Sequence, residues 1–234
     1  MTDDTILLVL LLCILNILTS LRVISLLERI LYMKMPFFAS FIVFLILISY
    51  EISKSRRQTA KMENSFWEKE YQANNTRRKS LEHLNYITIP FDTLPMDTLA
   101  EDETVSECHQ VLRNLADSPI VNFTGISNTD LKLQYGAPNI DLLMRYDQNY
   151  TTLACTLQKW AEKLYHAGYV REARRILEFA VSSGTDVSGC YRLLSSIYAA
   201  EGNMEEIGRL KEQAENLKSG TKNIIVRILQ EFDP

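Results

Sequence analysis

Two stretches in the last third of the chain superimpose when one is shifted by thirty-four residues. The first reads LQKWAEKLYHAGYVREARRILEFAVSSG and the second YRLLSSIYAAEGNMEEIGRLKEQAENLKSG. Gly168 falls on Gly202. Around the glycines, Ala161 falls on Ser195, Leu164 on Tyr198, Ala173 on Ile207, Ile176 on Leu210 and Ala180 on Ala214. A repeat of this period constrains the fold sharply, because each copy is one supersecondary unit that cannot bury its own apolar face and must stack on a neighbour. Apolar residues recurring at three- and four-residue spacing make the region helical from about Asn139 onward.

This pattern resembles the tetratricopeptide repeat, whose unit is two antiparallel helices over 34 residues. The small residue (Ala161, Ser195) lets the helices of a unit approach. The larger one three positions on (Leu164, Tyr198) fills the space beside it, and the glycine permits a tight turn. Ile207 and Lys211 depart from the family pattern, which has alanine and a large apolar residue there; Thr185 and Ser219 stand where proline is common. The resemblance implies that the first helix of each unit lines a partner groove. Its positions here are Cys155, Gln158, Glu162, Tyr165 and His166, then Arg192, Ser196, Ala199 and Ala200. Gln158 and Glu162 stand where the chaperone-tail-binding subgroup carries Lys and Asn, which disfavours a carboxylate clamp. Two units bury too little surface alone. The stretch 140–150, the amphipathic stretch 104–116 and a capping helix over 223–232 are expected to cover them.

The other end of the chain has a different character. Residues 5–21 and 35–50 are free of charge, and the six charged side chains among residues 1–50 cancel. With about 20 apolar residues needed per span, these runs with their flanks predict a transmembrane helical hairpin, its helices at about 5–27 and 33–52. MTDD lacks the basic start of a cleaved signal. Lys54, Arg56, Arg57 and Lys61 outweigh the basic residues of the connecting loop, so the positive-inside rule puts both termini in the cytoplasm. An integral, plasma-membrane localisation follows as an expectation, with the lipid bilayer as one partner.

Composition excludes several functions. The net charge of −4 falls wholly on residues 51–234, which argues against nucleic acid as a partner. The four cysteines, Cys13, Cys108, Cys155 and Cys190, form no CxxC pair and no disulfide framework. Neither a phosphate-binding glycine loop nor a GxSxG or HExxH motif occurs, and Cys108-His109 makes a poor chelate. The acidic triplet Glu101, Asp102 and Glu103 reads as a helix N-terminus rather than a metal site. We therefore expect no cofactor, no metal and no enzyme. The composition of YITIPF suits a strand, but Pro90 limits it to an edge, so 85–98 reads as an extended arm. Residues 118–139 are rich in Ser, Thr, Asn, Gly and Pro. As the longest irregular stretch they offer a second candidate surface at Asn122, Thr124, Asn128 and Asp130.

The sequence thus predicts a mainly α chain: a membrane anchor over 1–52, a juxtamembrane helix over 53–76, and an arm, helix and loop over 77–150. Two tetratricopeptide-like repeats over 151–219 follow, an α-solenoid, then a cap over 220–234. The expected function is a membrane-anchored protein–protein interaction module, binding another protein or peptide through Gln158, Glu162, Tyr165, Arg192 and Ser196. The alternatives are an assembly factor acting through the hairpin and an accessory enzyme subunit acting through the 118–139 loop.

Overall fold

The computed structural model describes residues 3–232, without the side chains of 3–20, 26, 27, 30–36 and 39. Its described residues are mainly α-helical and contain no strand, only an isolated antiparallel bridge between Tyr86 and Val121. Two compact units are present, Met1–Trp67 and Glu68–Pro234.

The first unit corrects the expected anchor. A single helix, α1, runs over Asp3–Asn74, with no turn where the hairpin required one. The segment LRVISLLERILYMKM holds no Gly, Pro or Asn to punctuate it, and its Leu, Arg, Lys, Glu and Met favour helix. Among the described residues no helix is long and apolar enough to cross a membrane. The described, uncharged part of the second run, 40–50, has 11 residues before Glu51, Lys54, Arg56 and Arg57 follow, roughly 16 Å of helix against the ~30 Å of a bilayer core. The integral-membrane, plasma-membrane localisation is overturned by this, and the orientation drawn from the basic residues falls with it. The side chains of 5–20 in the first run, Cys13 included, lie outside the described residues. Along 40–74 the hydroxyls of Ser40, Thr59 and Ser65 donate to carbonyls three or four residues back.

The second unit is built on helices α2 (Glu103–Ala116), α3 (Asn128–Tyr135), α4 (Ile140–His166), α5 (Val170–Ser182), α6 (Ser188–Ala200), α7 (Met204–Glu215) and α8 (Lys222–Gln230). Contacts run in sequence, α2 on α4, α4 on α5, α5 on α6, α6 on α7, with α8 against α6 and α7. The centre is α4. Leu153, Leu157, Trp160, Ala161 and Leu164 form one stripe at three- and four-residue spacing and are wholly buried. They share a core with Val105, Cys108 and Leu112 of α2, with Ala173, Ile176 and Leu177 of α5, and with Tyr191 and Leu194 of α6. Ser195 is buried without loss, because its hydroxyl donates to the Tyr191 carbonyl at 2.7 Å.

The helix ends follow the local chemistry. Asp102 caps α2, its carboxylate accepting from the amides of Thr104 at 3.0 Å and Val105 at 3.3 Å. The acidic triplet thus supplies a cap. Gly168 and Gly202 close the turns α4–α5 and α6–α7 with φ of +89° and +71°. The Gly168 amide donates to Tyr165 and the Tyr169 amide to Leu164; thirty-four residues on, Gly202 donates to Ala199 and Asn203 to Tyr198. This paired bonding satisfies the last carbonyls of a helix and needs a left-handed residue at the glycine. Gly184, φ +79°, closes α5 in the same way, its amide on Val181 and that of Thr185 on Ala180.

The arm differs from expectation. It is extended only to Pro90, where the Ile87 amide donates to Ile120 at 2.9 Å; the Pro90 carbonyl then accepts from Thr93 and Leu94 and starts a run of turns reaching Asp102. Ile89 and Leu94 are buried against the main core, whereas Leu84 joins a smaller one with Val121, Phe123, Leu131 and Leu143.

A Cβ at Gly168 or at Gly202 would meet no atom within 4 Å, so substitution there costs backbone conformation alone. Gly168→Ala and Gly202→Ala should each destabilise by about 1–2 kcal/mol, to similar extents. At Gly136 a Cβ would lie 2.3 Å from the Arg77 carbonyl oxygen, and Gly136→Ala should cost more. Urea titrations followed by circular dichroism measure all three.

Candidate functional site

The groove positions of α4 share one side of that helix. At about 100° per residue, Cys155, Gln158, Glu162, Tyr165 and His166 lie within an arc of roughly 100°, and Arg192, Ser196, Ala199 and Ala200 of α6 lie within a similar arc. The two sets meet at Gly189, the second residue of α6. A Cβ there would sit 2.1 Å from Gln158 Nε2, so the amide of Gln158 rests on the α6 backbone. Gln158 Nε2 also donates to Glu162 Oε1 at 2.8 Å. Arg192 pairs at 3.6 Å with Glu231, just beyond α8, an exposed pair that contributes little to stability. Ser196 turns its hydroxyl onto the Leu193 carbonyl at 2.7 Å. Tyr165 is half-buried against the core, with the His166 ring at 5.8 Å. Cys155, Glu162, His166, Arg192, Ala199 and Ala200 are exposed. The result is a mixed polar surface holding one carboxylate, one guanidinium and one imidazole, with its glutamine fixed in place.

Two of the loop candidates, Asn122 and Asp130, make structural ties. Asn122 donates from Nδ2 to the carbonyls of Ser183 at 3.3 Å and Gly184 at 3.0 Å, and its Oδ1 accepts from the Thr124 amide at 2.9 Å. Asp147 accepts from the Phe123 amide at 3.1 Å. A Cβ on Gly125 would lie 2.3 Å from the Lys218 carbonyl oxygen. Residues 119–125 therefore run as a strap across the turns α5–α6 and α7–α8. Beyond it, Asp130 binds Lys69 at 2.7 Å and accepts from the Ser127 hydroxyl at 2.6 Å, while Lys132 binds Glu70 and, at 2.8 Å, Asn74. These bonds fasten α3 to the last turn and a half of α1. Lys69 and Lys132 hold the carboxyls of Asp130 and Glu70 below the usual carboxylate range. Asn128 is the exposed first residue of α3.

The seam between α2 and α4 carries the unit's buried histidine. His109 stands edge-on to Trp160 with ring centroids 4.8 Å apart, and His109 Nε2 and Trp160 Nε1 are buried without a hydrogen-bond partner among the described residues. Lys159–Glu107 at 2.9 Å and Lys163–Asp102 at 2.8 Å close the seam. Burial lowers the His109 pKa, Arg113 adds to this, and Asp97 opposes it. Burial also raises Cys108 and pushes Cys190 up to about 12, so neither thiol supplies a nucleophile at neutral pH. Among the described residues no group of three or more His, Cys, Asp or Glu side chains is placed to hold a metal ion.

Sequence reasoning missed a cluster on α5 and α6. Glu178 accepts from Arg174 Nε and from the Tyr198 hydroxyl, both at 2.9 Å, and Arg174 also binds Glu201 at 2.7 Å. The spacing of Arg174 and Glu178 was a legible signal; the convergence of Tyr198 and Glu201 required the fold. No family model, curated protein or solved structure matches the chain.

Two outcomes are expected. Asn122→Ala removes the donor to two carbonyls and should cost about 1–2 kcal/mol, whereas Asn128→Ala should fall within about 0.5 kcal/mol; denaturant midpoints compare them. Burial makes His109 take up its proton at lower pH in the folded chain than in the unfolded one, where the ordinary value is 6.5. Stability should therefore fall as pH drops below about 6.5. His109→Phe should reduce this fall in melting temperature below about pH 6.5.

Proposed function

We propose that the Glu68–Pro234 unit is a protein-interaction module of tetratricopeptide-like helix pairs, with α4 and α6 presenting the surface that takes another protein or peptide. One observation carries this reading: the same pair of turn hydrogen bonds recurs at Gly168 and Gly202, thirty-four residues apart. Equivalent turns therefore end α4 and α6. Ala161 and Ser195 are buried within the stack; the residues one turn before them, Gln158 and Arg192, and those immediately after them, Glu162 and Ser196, reach the surface.

The chemistry of that surface suits a polypeptide. Gln158 offers an amide already held by Glu162 and by the backbone at Gly189, so little side-chain freedom is lost when it bonds a partner. Arg192 and Glu162 provide opposite charges to set register. Tyr165 is the aromatic side chain of the set, the type most often found as an anchor. The hairpin alternative falls with the hairpin itself, and of the loop candidates Asn122 and Asp130 already serve as ties.

A photoactivatable cross-linker placed in the full chain at Gln158, at Arg192 and at the exposed Arg175 of α5 tests the reading in cells. The expected result is one and the same cross-linked polypeptide from the first two positions and none from the third. Arg192→Glu should lower the yield from Gln158 by about tenfold, the effect of some 1.4 kcal/mol. Cross-links from Arg175 alone, or from none of the three, overturn it.

A further inference from the structure

We propose that the unit has a second binding surface, a cleft between α5 and α7 that takes a basic peptide segment with one aliphatic side chain. The cleft is half-open and holds about 320 Å³, near the lower end for ligand pockets. Its floor is apolar, made by Val181, Leu194, Tyr198 and Leu210. Leu194 and Tyr198 are one turn apart on α6. They point about 150° away from Arg192 and Ser196, at about 100° per residue. The cleft therefore lies across α6 from the surface assigned above and does not depend on that assignment.

Charge selects the occupant. The rim carries Glu178 on the α5 side and Glu206 and Arg209 on the α7 side. Arg174 is shared by Glu178 and Glu201, and Arg209 by Glu205 and Glu206. Four carboxylates thus stand around two guanidinium groups, and a net negative charge remains on both sides of an apolar floor. The Tyr198 hydroxyl fixes Glu178 at 2.9 Å, and Arg174 lies 5.7 Å from the centre of the Tyr198 ring. The rim is accordingly held before a ligand arrives, which reduces the ordering cost of binding. A segment that places Lys or Arg on either side of a Leu, Ile or Met matches this arrangement: the aliphatic group fills the cleft and the cations meet the two acidic edges.

The probe is a fluorescein-labelled peptide with one leucine between two pairs of lysines, titrated against the full-length chain by anisotropy. Binding should weaken about tenfold when the leucine is replaced by serine, and should weaken as salt is raised. Ser182→Trp fills the cleft from its exposed rim, and Glu206→Lys reverses one edge. Each should lower affinity by about tenfold or more, while Met144→Ala, an exposed position on α4, leaves it unchanged. Circular dichroism identifies any variant that fails to fold, and the other then decides. A peptide that binds no better than its glutamate counterpart, or as well to the two folded cleft variants as to the parent, overturns the proposal.

Discussion

The unit rests on the burial of α4 on several sides at once. Most of the stability of a helix such as α4, 27 residues long, comes from packing rather than from propensity. Here Leu153, Leu157, Trp160 and Leu164 have no solvent exposure, because α2 and α5 both pack on the helix and α6 reaches it as well. At about 25 cal/mol per Å² of apolar surface, each buried leucine contributes about 1.5–3 kcal/mol. The same packing forces compromises. Among the described residues Trp160 keeps its indole nitrogen and His109 its Nε2 without partners, and the rings meet edge-on.

The repeat is least regular where its surroundings change. Ala173 sits wholly buried between α4 and α6, and its counterpart Ile207 is also buried, at 1% exposure. The larger side chain finds room because α7 meets α6 and the short α8 rather than another full pair. Lys211, which broke the family pattern, lies beside Leu210, and Leu210 carries the buried contact of that turn. The departures follow from stacking that ends at α8.

Much of the helical order could be read from the chain because it is local. The apolar spacing of Val105, Cys108 and Leu112, the cap at Asp102 and the glycines at 168 and 202 all act within one or two turns. Two things were not local. The two apolar runs near the start suggested a hairpin because composition outweighed the absence of a turn signal between them, and the helix continues through instead. The long polar stretch read as a candidate surface, yet Asn122 and Asp130 bond to Gly184 and Lys69, sixty or so residues away. No periodicity marks such a partner. Gln158 was reachable only through the repeat, and its seat on Gly189 only through the fold.

The strap has a mechanical consequence. The helices α4 to α8 pack in sequence, each on the next, with turns at two opposite edges. In this chain one edge of the stack is stitched: residues 119–125 hold the turn at Gly184 through Asn122 and crowd the turn at Lys218 through Gly125. Pulling the pairs apart along that edge would break several bonds together, whereas the edge bearing Gly168 and Gly202 has no such thread. Separating α5 from α7 at that edge would therefore break the Asn122 bonds, a constraint the Gly168 and Gly202 turns do not share among the described residues.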